Sequence, residues 1–576
     1  MLKTRLTTSL AFLVLALLLG CSPREQEQAA APVGAEQTQE PRTAAVAMPD
    51  KYGAAVAEQI LRAGGNAVDA GIAAGLALAV SYPEAGNIGG GGFMLIRMNG
   101  EDAFIDYRET APAAADRDMY LNVNGEVIPG LSLIGHLSVG VPGTIAGFWE
   151  AHQRFGSLPW RDLVIPAVKI AAEGFEVPDD LGGGMLTELE RYEGKTNFGL
   201  YFGSMESGTR HKQPELAATL QRIAENGRDE FYKGKTAALI VAEMERGNGL
   251  ITMADLADYR AVWRDPLQAD WREYRVISAP LPSSGGFGLI QLLKIRDYID
   301  HRFEGIAHNS AQYVHLVAEI EKRVFADRAE FLGDPDFVDS RIDKLLSDDY
   351  IQSRAQEVNP DAISINVGAG TGLENRDTTH YSIVDQWGNA VSNTYTLNLG
   401  FGSGVVVTGA GFLLNDEMDD FSIKPGVPNA YGVVGNEANA IEPRKRMLSS
   451  MTPTILLRDG EVAMVLGTPG GSTIFTSVFQ NILNVIDFGM SPLEAAAAAR
   501  FHHQLLPPDV IFTQPDSPLP DETLSLLGER GYKIKPLYNY GDMQMIFDDG
   551  DNIRAASDPR NRGQSRVIEF AAQASE

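Results

Sequence analysis

An α+β architecture, with helices layered against antiparallel sheets, is what this sequence predicts, and three observations carry it. Helical periodicity dominates from about Gly143 to Leu345, in stretches such as "LVIPAVKIAAEGF", "PELAATLQRIAENG" and "SAQYVHLVAEIEKRVFADRAEFLG". After Thr378 the texture turns to alternating strands, with one clear helix at "STIFTSVFQNILNVIDFG" and another at "SPLEAAAAARFHHQ". The hydrophobic fraction of 44% and the charged fraction of 22% are those of a packed globular protein. Helices flanking hairpins bury their apolar faces best as layers. At 576 residues the chain suffices for several ordinary domains or for one large core with elaborations.

The elements follow in order. Lys3 and Arg5 precede the apolar run "AFLVLALLLG", which is short for a bilayer span and has the layout of a secretory signal. "LLGC" resembles a bacterial lipoprotein processing box, so residues 1–20 are expected to be a lipoprotein signal peptide and Cys21 its lipid-attachment point. An ordinary signal peptide or an uncleaved anchor is the alternative. Cys21 is the only cysteine, which rules out an intrachain disulfide. Ser22 rather than Asp after it favours a periplasm-facing position at the outer membrane of a Gram-negative cell. Residues 21–43 are rich in Gln, Glu, Ala and Pro and cannot bury enough surface to fold, so they read as a tether. The net charge of −28, from 48 basic and 76 acidic residues, argues against nucleic acid as a partner, because nothing would neutralise phosphates.

From Tyr52, "YGAAVAEQILRAGGNAVDAGIAAGLALAVSYP" reads as two small-residue helices broken at Gly64-Gly65. The second has Asn66 as its cap and is apolar nearly all round, which predicts a buried helix.

Three hairpins then bring polar groups together at strand ends. In "THYSIVDQWGNAVSNTYTL", pairing Val384 with Ala390 sets Thr378 opposite Thr396, with Asn398 just beyond; a slip of one residue would undo this. In "MTPTILLRDGEVAMVLGTPGG", a turn at Asp459-Gly460 pairs Arg458 with Glu461 and brings Ser449-Ser450 opposite Pro469-Gly470. Gly470 and Gly471 lead into a helix near Ser472, where backbone N–H groups suit an anion or an oxyanion, or simply turn the chain. In "GGGGFMLIRMNGEDAFIDYRETAP", a turn at "NGED" pairs Met98 with Ala103 and sets Arg108 opposite Phe93, beside Gly89 to Gly92. Arg108 is then either a surface ion-pair arginine or a carboxylate-binding one. The glycine run lacks the Gly-Lys-Ser/Thr ending of a phosphate loop. Together these features suit a pocket for a small zwitterion or carboxylate beside a nucleophile.

Blocks of this sequence resemble the signatures of the gamma-glutamyltransferases, also called gamma-glutamyl transpeptidases or glutathione hydrolases: "NIGGGGFM", "IDYRETAP", "TTHYSIVD", "TYTLN", "NDEMDDFS", "RMLSSMTPT" and "GTPGGS". The likeness runs in order from about Arg42 to Gly563. It implies an N-terminal nucleophile hydrolase with a four-layer αββα sandwich, cut by its own activity between Asp377 and Thr378. A large chain of residues 44–377 and a small catalytic chain of residues 378–576 would remain together as one globular unit. Thr378 would be the nucleophile and its new α-amine, with a reference pKa of roughly 7.7–8.0, the base. No acid–base histidine is then required, and His380 reads as a strand support.

The resemblance further implies that Thr396 orients Thr378, and that Gly470 and Gly471 stabilise the oxyanion through backbone N–H groups. Arg108, Ser449 and Ser450 would hold the donor's α-carboxylate; Asn398, Glu417 and Asp420 would accept from its α-ammonium. Taken alone, "NDEMDDFS" reads equally as a solvated acidic loop. Bacterial relatives often carry glutamine where Glu417 stands, and the acid here favours an ammonium. "KPGVPNAYGVVGNEANAIEP" resembles the family's lid loop, with Tyr431 as an aromatic gate. His502 and His503, read as neighbours on a helix, point apart, so no metal is assigned, and no cofactor is expected. The implied partners are glutathione and other gamma-glutamyl donors, with water, amino acids or peptides as acceptors. Two rivals stand beside this reading: a glutaryl-type β-lactam acylase on the same scaffold, and an unprocessed lipoprotein that only binds small molecules.

Overall fold

Two antiparallel sheets form the centre of the computed structural model, which describes residues 43–365, 378–427, 435–538 and 540–570. The first has seven strands in the order Gln564–Ile568, Ala44–Met48, Thr378–Val384, Ala390–Thr396, Gly91–Met98, Glu101–Asp106 and Val262–Arg264. The second has six, in the order Ile553–Ser557, Gln544–Asp548, Glu461–Gly467, Thr454–Arg458, Tyr274–Ser278 and Leu267–Trp271. Every ladder in both sheets is antiparallel.

Alternation along the strands explains how the sheets are buried on both faces. Ala45, Ala47, Phe93 and Leu95 of the first sheet share one apolar cluster with Ile277, Ile455, Val465 and Ile546 of the second. The alternate residues of the first sheet, Val46, Met94, Ile96 and Ile383, cluster instead with the helices Lys51–Arg62 and Ala67–Ser81. Those of the second, Val276, Leu456 and Met464, cluster with the helices Gly285–Tyr298, Ala311–Phe331 and Ile474–Ile486.

The helix Ala67–Ser81 is buried along its whole length, as its all-round apolar sequence predicts. Asn66 caps it, accepting from the N–H groups of Val68 and Asp69 while Asp69 accepts from the N–H of Asn66. Its glycines let the sheet approach closely. Tyr381 and Tyr395 donate to the carbonyls of Gly71 and Gly75, each at 2.8 Å, so two adjacent strands are fastened to successive turns of one helix.

The first hairpin keeps the expected register, with Val384 opposite Ala390 and Thr378 opposite Thr396. The other two differ from expectation. In the glycine-rich hairpin the turn is the two residues Asn99-Gly100, both at positive φ, rather than "NGED". Met98 therefore pairs with Glu101 and Phe93 with Asp106; Tyr107 exchanges backbone bonds with Gly92, and Arg108 lies beyond it instead of facing Phe93. In the hairpin turning at Asp459-Gly460, Arg458 does face Glu461, but Ala463 is skipped in a bulge between Leu456 and Leu457, and the ladder ends at Thr454 and Leu466. Ser449 does not reach Pro469-Gly470 in this ladder and bridges to Ser283.

The helix expected over "SPLEAAAAARFHHQ" spans only Pro492–Ala497. Ala498 is extended, and the buried Arg500 is drawn to Asp558 at 2.8 Å and the Tyr540 carbonyl at 2.7 Å. Phe501–His502 then forms a short strand against Val510–Thr513. Five short strands, Phe175–Glu176, Arg210–His211, Val262–Arg264, Leu267–Trp271 and Tyr274–Ser278, also interrupt the span that reads as helical.

Candidate active site

Thr378 opens a central strand whose neighbours on both sides are paired, and it is 6% exposed. Across the ladder, Thr396 accepts from the N–H of Asn398 at 2.8 Å, and its own hydroxyl donates to Thr378 Oγ1 at 3.4 Å. That second contact is longer than a typical O–H···O bond, as hydroxyl pairs at reactive sites often are before they engage a substrate. His380 serves the strand: its ring nitrogens meet Thr394 Oγ1 at 2.8 Å and Ser382 Oγ at 3.1 Å, and burial holds its pKa down to about 3. A neutral ring with both nitrogens engaged fits the expected supporting role.

Arg108, 1% exposed, reaches the site by leaving the strand end beside the glycine run. Its guanidinium pairs with Glu417 and Asp420, and its Nε donates to the Met447 carbonyl at 3.4 Å. Glu417 and Asp420 stand on a short 3₁₀ turn, Glu417–Asp420, and Glu417 is 1% exposed, so this segment is not a solvated acidic loop. Burial raises both carboxyl pKa values, and Arg108 opposes the rise in each. Behind them, burial pushes the Glu109 carboxyl up to about 8 against the pull of Arg108, 3.7 Å away.

Ser449 and Ser450 arrive by a loop, not by the hairpin. The N–H of Ser449 donates to the Pro282 carbonyl and its own carbonyl accepts from Ser284, at 2.8 and 2.7 Å. Arg328 joins the two segments: its Nε donates to Ser284 Oγ at 2.9 Å and its Nη2 to Ser450 Oγ at 3.1 Å. Sequence reasoning missed Arg328. The signal was present, since Ile320, Val324 and Arg328 repeat at helical spacing and put a charge on a buried stripe.

Gly470 has φ 137° and Gly471 φ 53°, backbone that disfavours a side chain. The 3₁₀ turn Gly471–Thr473 follows, closed by the Thr473 N–H and Oγ1 on the Gly470 carbonyl, and the helix starts at Ile474. Below, Ser472 donates to Gln504 at 2.8 Å, and His502 meets Thr476 at 3.0 Å. His503 lies by the Pro508 carbonyl, 3.1 Å away, so both histidines are taken up in supporting contacts.

These residues converge on one small pocket, partly open to solvent. Its walls include Thr378, Thr396, Asn398, Arg108, Glu417, Asp420, Ser449, Ser450 and Gly471, together with Arg328. Gly470 is adjacent in the chain but lines a second cleft that also touches Thr378. Asp377, Tyr431 and Cys21 lie outside the described residues. The pocket sets the Thr378 hydroxyl beside one guanidinium and two carboxyls that pair with each other.

Residues 53–568 match the family model described as Gamma-glutamyltranspeptidase. The chain is similar to a glutathione hydrolase proenzyme of Pseudomonas aeruginosa, 57% identical over 525 residues, covering 91% of this chain and 94% of that one. Among solved structures it resembles a gamma-glutamyltranspeptidase from Pseudomonas nitroreducens: 55% identity, TM-score 0.54, covering 55% of this chain and 94% of that one. It also resembles a cephalosporin acylase from Bacillus halodurans, at 26% identity and TM-score 0.79, over 95% of this chain and 99% of that one. A family match over residues 53–568, with a relative 57% identical over most of both chains, makes this protein an enzyme of the gamma-glutamyltranspeptidase family.

Proposed function

We propose that this chain is a proenzyme that cuts itself between Asp377 and Thr378 and then acts as a gamma-glutamyl transpeptidase and glutathione hydrolase. The observation that carries this reading is the Thr396–Thr378 hydroxyl contact at the edge of a cavity holding Arg108, Glu417, Asp420 and the Ser449-Ser450 pair. In the precursor, Thr378 Oγ1 attacks the preceding carbonyl, the acyl group shifts from nitrogen to oxygen, and water releases it. Residues 44–377 and 378–576 become the large and small chains. The three apolar clusters support a four-layer αββα reading of the whole.

In turnover, the α-amine of Thr378 takes the Oγ1 proton, and Oγ1 attacks the γ-carbonyl of glutathione or a related donor. Thr396 fixes the hydroxyl. Gly470 and Gly471 stabilise the oxyanion through N–H groups, and the tetrahedral intermediate collapses with loss of the amine. Water, an amino acid or a peptide then takes the γ-glutamyl group from the threonyl ester. Arg108 with Ser449 and Ser450 holds the donor's α-carboxylate, and Asn398, Glu417 and Asp420 its α-ammonium. An acylase for glutaryl groups needs no such carboxylates, because a glutaryl chain has no ammonium. Cys21 as a lipid anchor, facing the periplasm from the outer membrane, completes the proposal.

A denaturing gel of the purified protein tests it first. Two bands that a Thr378→Ala variant fails to produce are expected; a single uncut wild-type chain would sink the nucleophile assignment. Turnover of γ-glutamyl-p-nitroanilide in preference to glutaryl-p-nitroanilide is the second expectation, and the reverse order would refute the specificity.

A further inference from the structure

A hydroxyl has one proton to give, so what it accepts decides where that proton can go. Ser449 Oγ accepts from the N–H of Met451 at 3.1 Å, and Ser450 Oγ accepts from Arg328 Nη2 at 3.1 Å. Both serines line the pocket beside Thr378, and each keeps its own proton for another acceptor. Ser284 shows the same logic completed. Its Oγ accepts from Arg328 Nε at 2.9 Å and donates to the Ser449 carbonyl at 2.7 Å. One guanidinium thus sets the direction of two hydroxyls, and through Ser284 it also steadies the backbone of the serine pair.

The charges around the pocket call for such a group. Arg108 is paired with Glu417 and Asp420 and stands 3.7 Å from Glu109, so three carboxyls surround it before any substrate arrives. An incoming carboxylate would add to that excess unless a second cation faces it. Arg328, 7% exposed, is the other guanidinium on the pocket wall among the described residues. The carboxyl next to it in the chain, Asp327, is taken up by Gln291, Tyr350 and Arg354. The charge of Arg328 is felt across the pocket. Burial raises the Asp420 carboxyl pKa, and Arg328 opposes that rise together with Arg108.

We propose that Arg328 determines specificity for the donor: it turns the Ser450 hydroxyl into a donor to the α-carboxylate and supplies the cation that the already paired Arg108 does not. Ser284 is the positioning residue that holds Arg328 in place. The α-carboxylate keeps its charge throughout acyl transfer, so these contacts stabilise the bound donor and the transition state alike and act on KM rather than kcat. The proposal rests on the functional reading above and adds a residue to it.

The test is donor kinetics with γ-glutamyl-p-nitroanilide and no added acceptor. Arg328→Gln should raise KM about tenfold or more and lower kcat far less. Arg328→Lys keeps the charge but not the fork that holds two hydroxyls, so its KM should fall between those of the wild type and Arg328→Gln. Ser284→Ala leaves the pocket wall intact and keeps the guanidinium, and its KM should rise about two- to fivefold. KM does not depend on the fraction of active protein, so a poorly folding variant does not imitate the result. An unchanged KM in Arg328→Gln, or a lysine variant no better than the glutamine one, would overturn the role of Arg328. If Arg328→Gln yields no active enzyme, wild-type KM values in both Arg328→Lys and Ser284→Ala would overturn it instead. A wild-type enzyme that released no p-nitroaniline would overturn the functional reading beneath it.

Discussion

At the scale of single residues, the site depends on who accepts and who donates. Thr396 takes a backbone N–H from Asn398, and its remaining proton goes to Thr378. Thr396→Val keeps the shape and removes that proton. A lost hydrogen bond to a group that becomes charged costs about 1.5–3 kcal/mol, so γ-glutamyl-p-nitroanilide turnover should fall about ten- to a hundredfold, with slower appearance of the two chains on a gel. Glu109 gives a different readout. Its folded pKa of about 8 is raised from an ordinary 4.5, so the folded protein holds a proton the unfolded chain releases. The stability from that group is complete below about pH 4.5 and is lost as pH rises through 8. Glu109→Gln stays neutral throughout, so its urea midpoint should gain on the wild type between pH 5 and pH 9. A gap that stays constant would show that Glu109 ionises freely.

At the scale of elements, the glycine run and the hairpins decide where these groups stand. A Cβ built on Gly90 would lie 2.1 Å from the Thr396 carbonyl oxygen and 2.8 Å from Asn87 Oδ1. Asn87 itself holds that carbonyl, with Nδ2 donating at 2.8 Å, and takes the Gly90 N–H at 3.0 Å. Gly90→Ala therefore overpacks the support of Thr396. A loss of about 1–3 kcal/mol is expected, seen as a lower urea midpoint with activity falling alongside it. The same elements show what a sequence can disclose. The turn at "DQWGN" sets the Thr378–Thr396 register once Val384 faces Ala390, and a one-residue slip would send the residues that meet the helices toward the second sheet instead. A bulge at Ala463 and a two-residue turn at Asn99-Gly100 leave no such mark, since each shifts the register without changing which residues are apolar. Arg328 is half legible: its helical spacing with Ile320 and Val324 marks a buried charge, but nothing local in sequence names Ser450, 122 residues away, as what it meets.

At the scale of the molecule, the order of strands matters more than their number. In the first sheet, Ala44–Met48 lies between Gln564–Ile568 and Thr378–Val384, while Ala390–Thr396 pairs with Gly91–Met98. In the second, Tyr274–Ser278 pairs with Thr454–Arg458. Four ladders thus join chain before Thr378 to chain after it. Wild-type protein should elute in size-exclusion chromatography at the volume of uncut Thr378→Ala protein, with both chains in one peak. Separate elution of the chains in native buffer would contradict this interleaving.

The consequence reaches into how such a protein can be assembled. A cut before Thr378 would divide the sequence in two without dividing the hydrogen-bonded sheets, so neither product inherits a fold of its own. Small chains from two related proteins could not be exchanged by mixing mature enzymes. They would have to meet their partners unfolded, and the pairing made at that moment would be permanent for the life of the molecule.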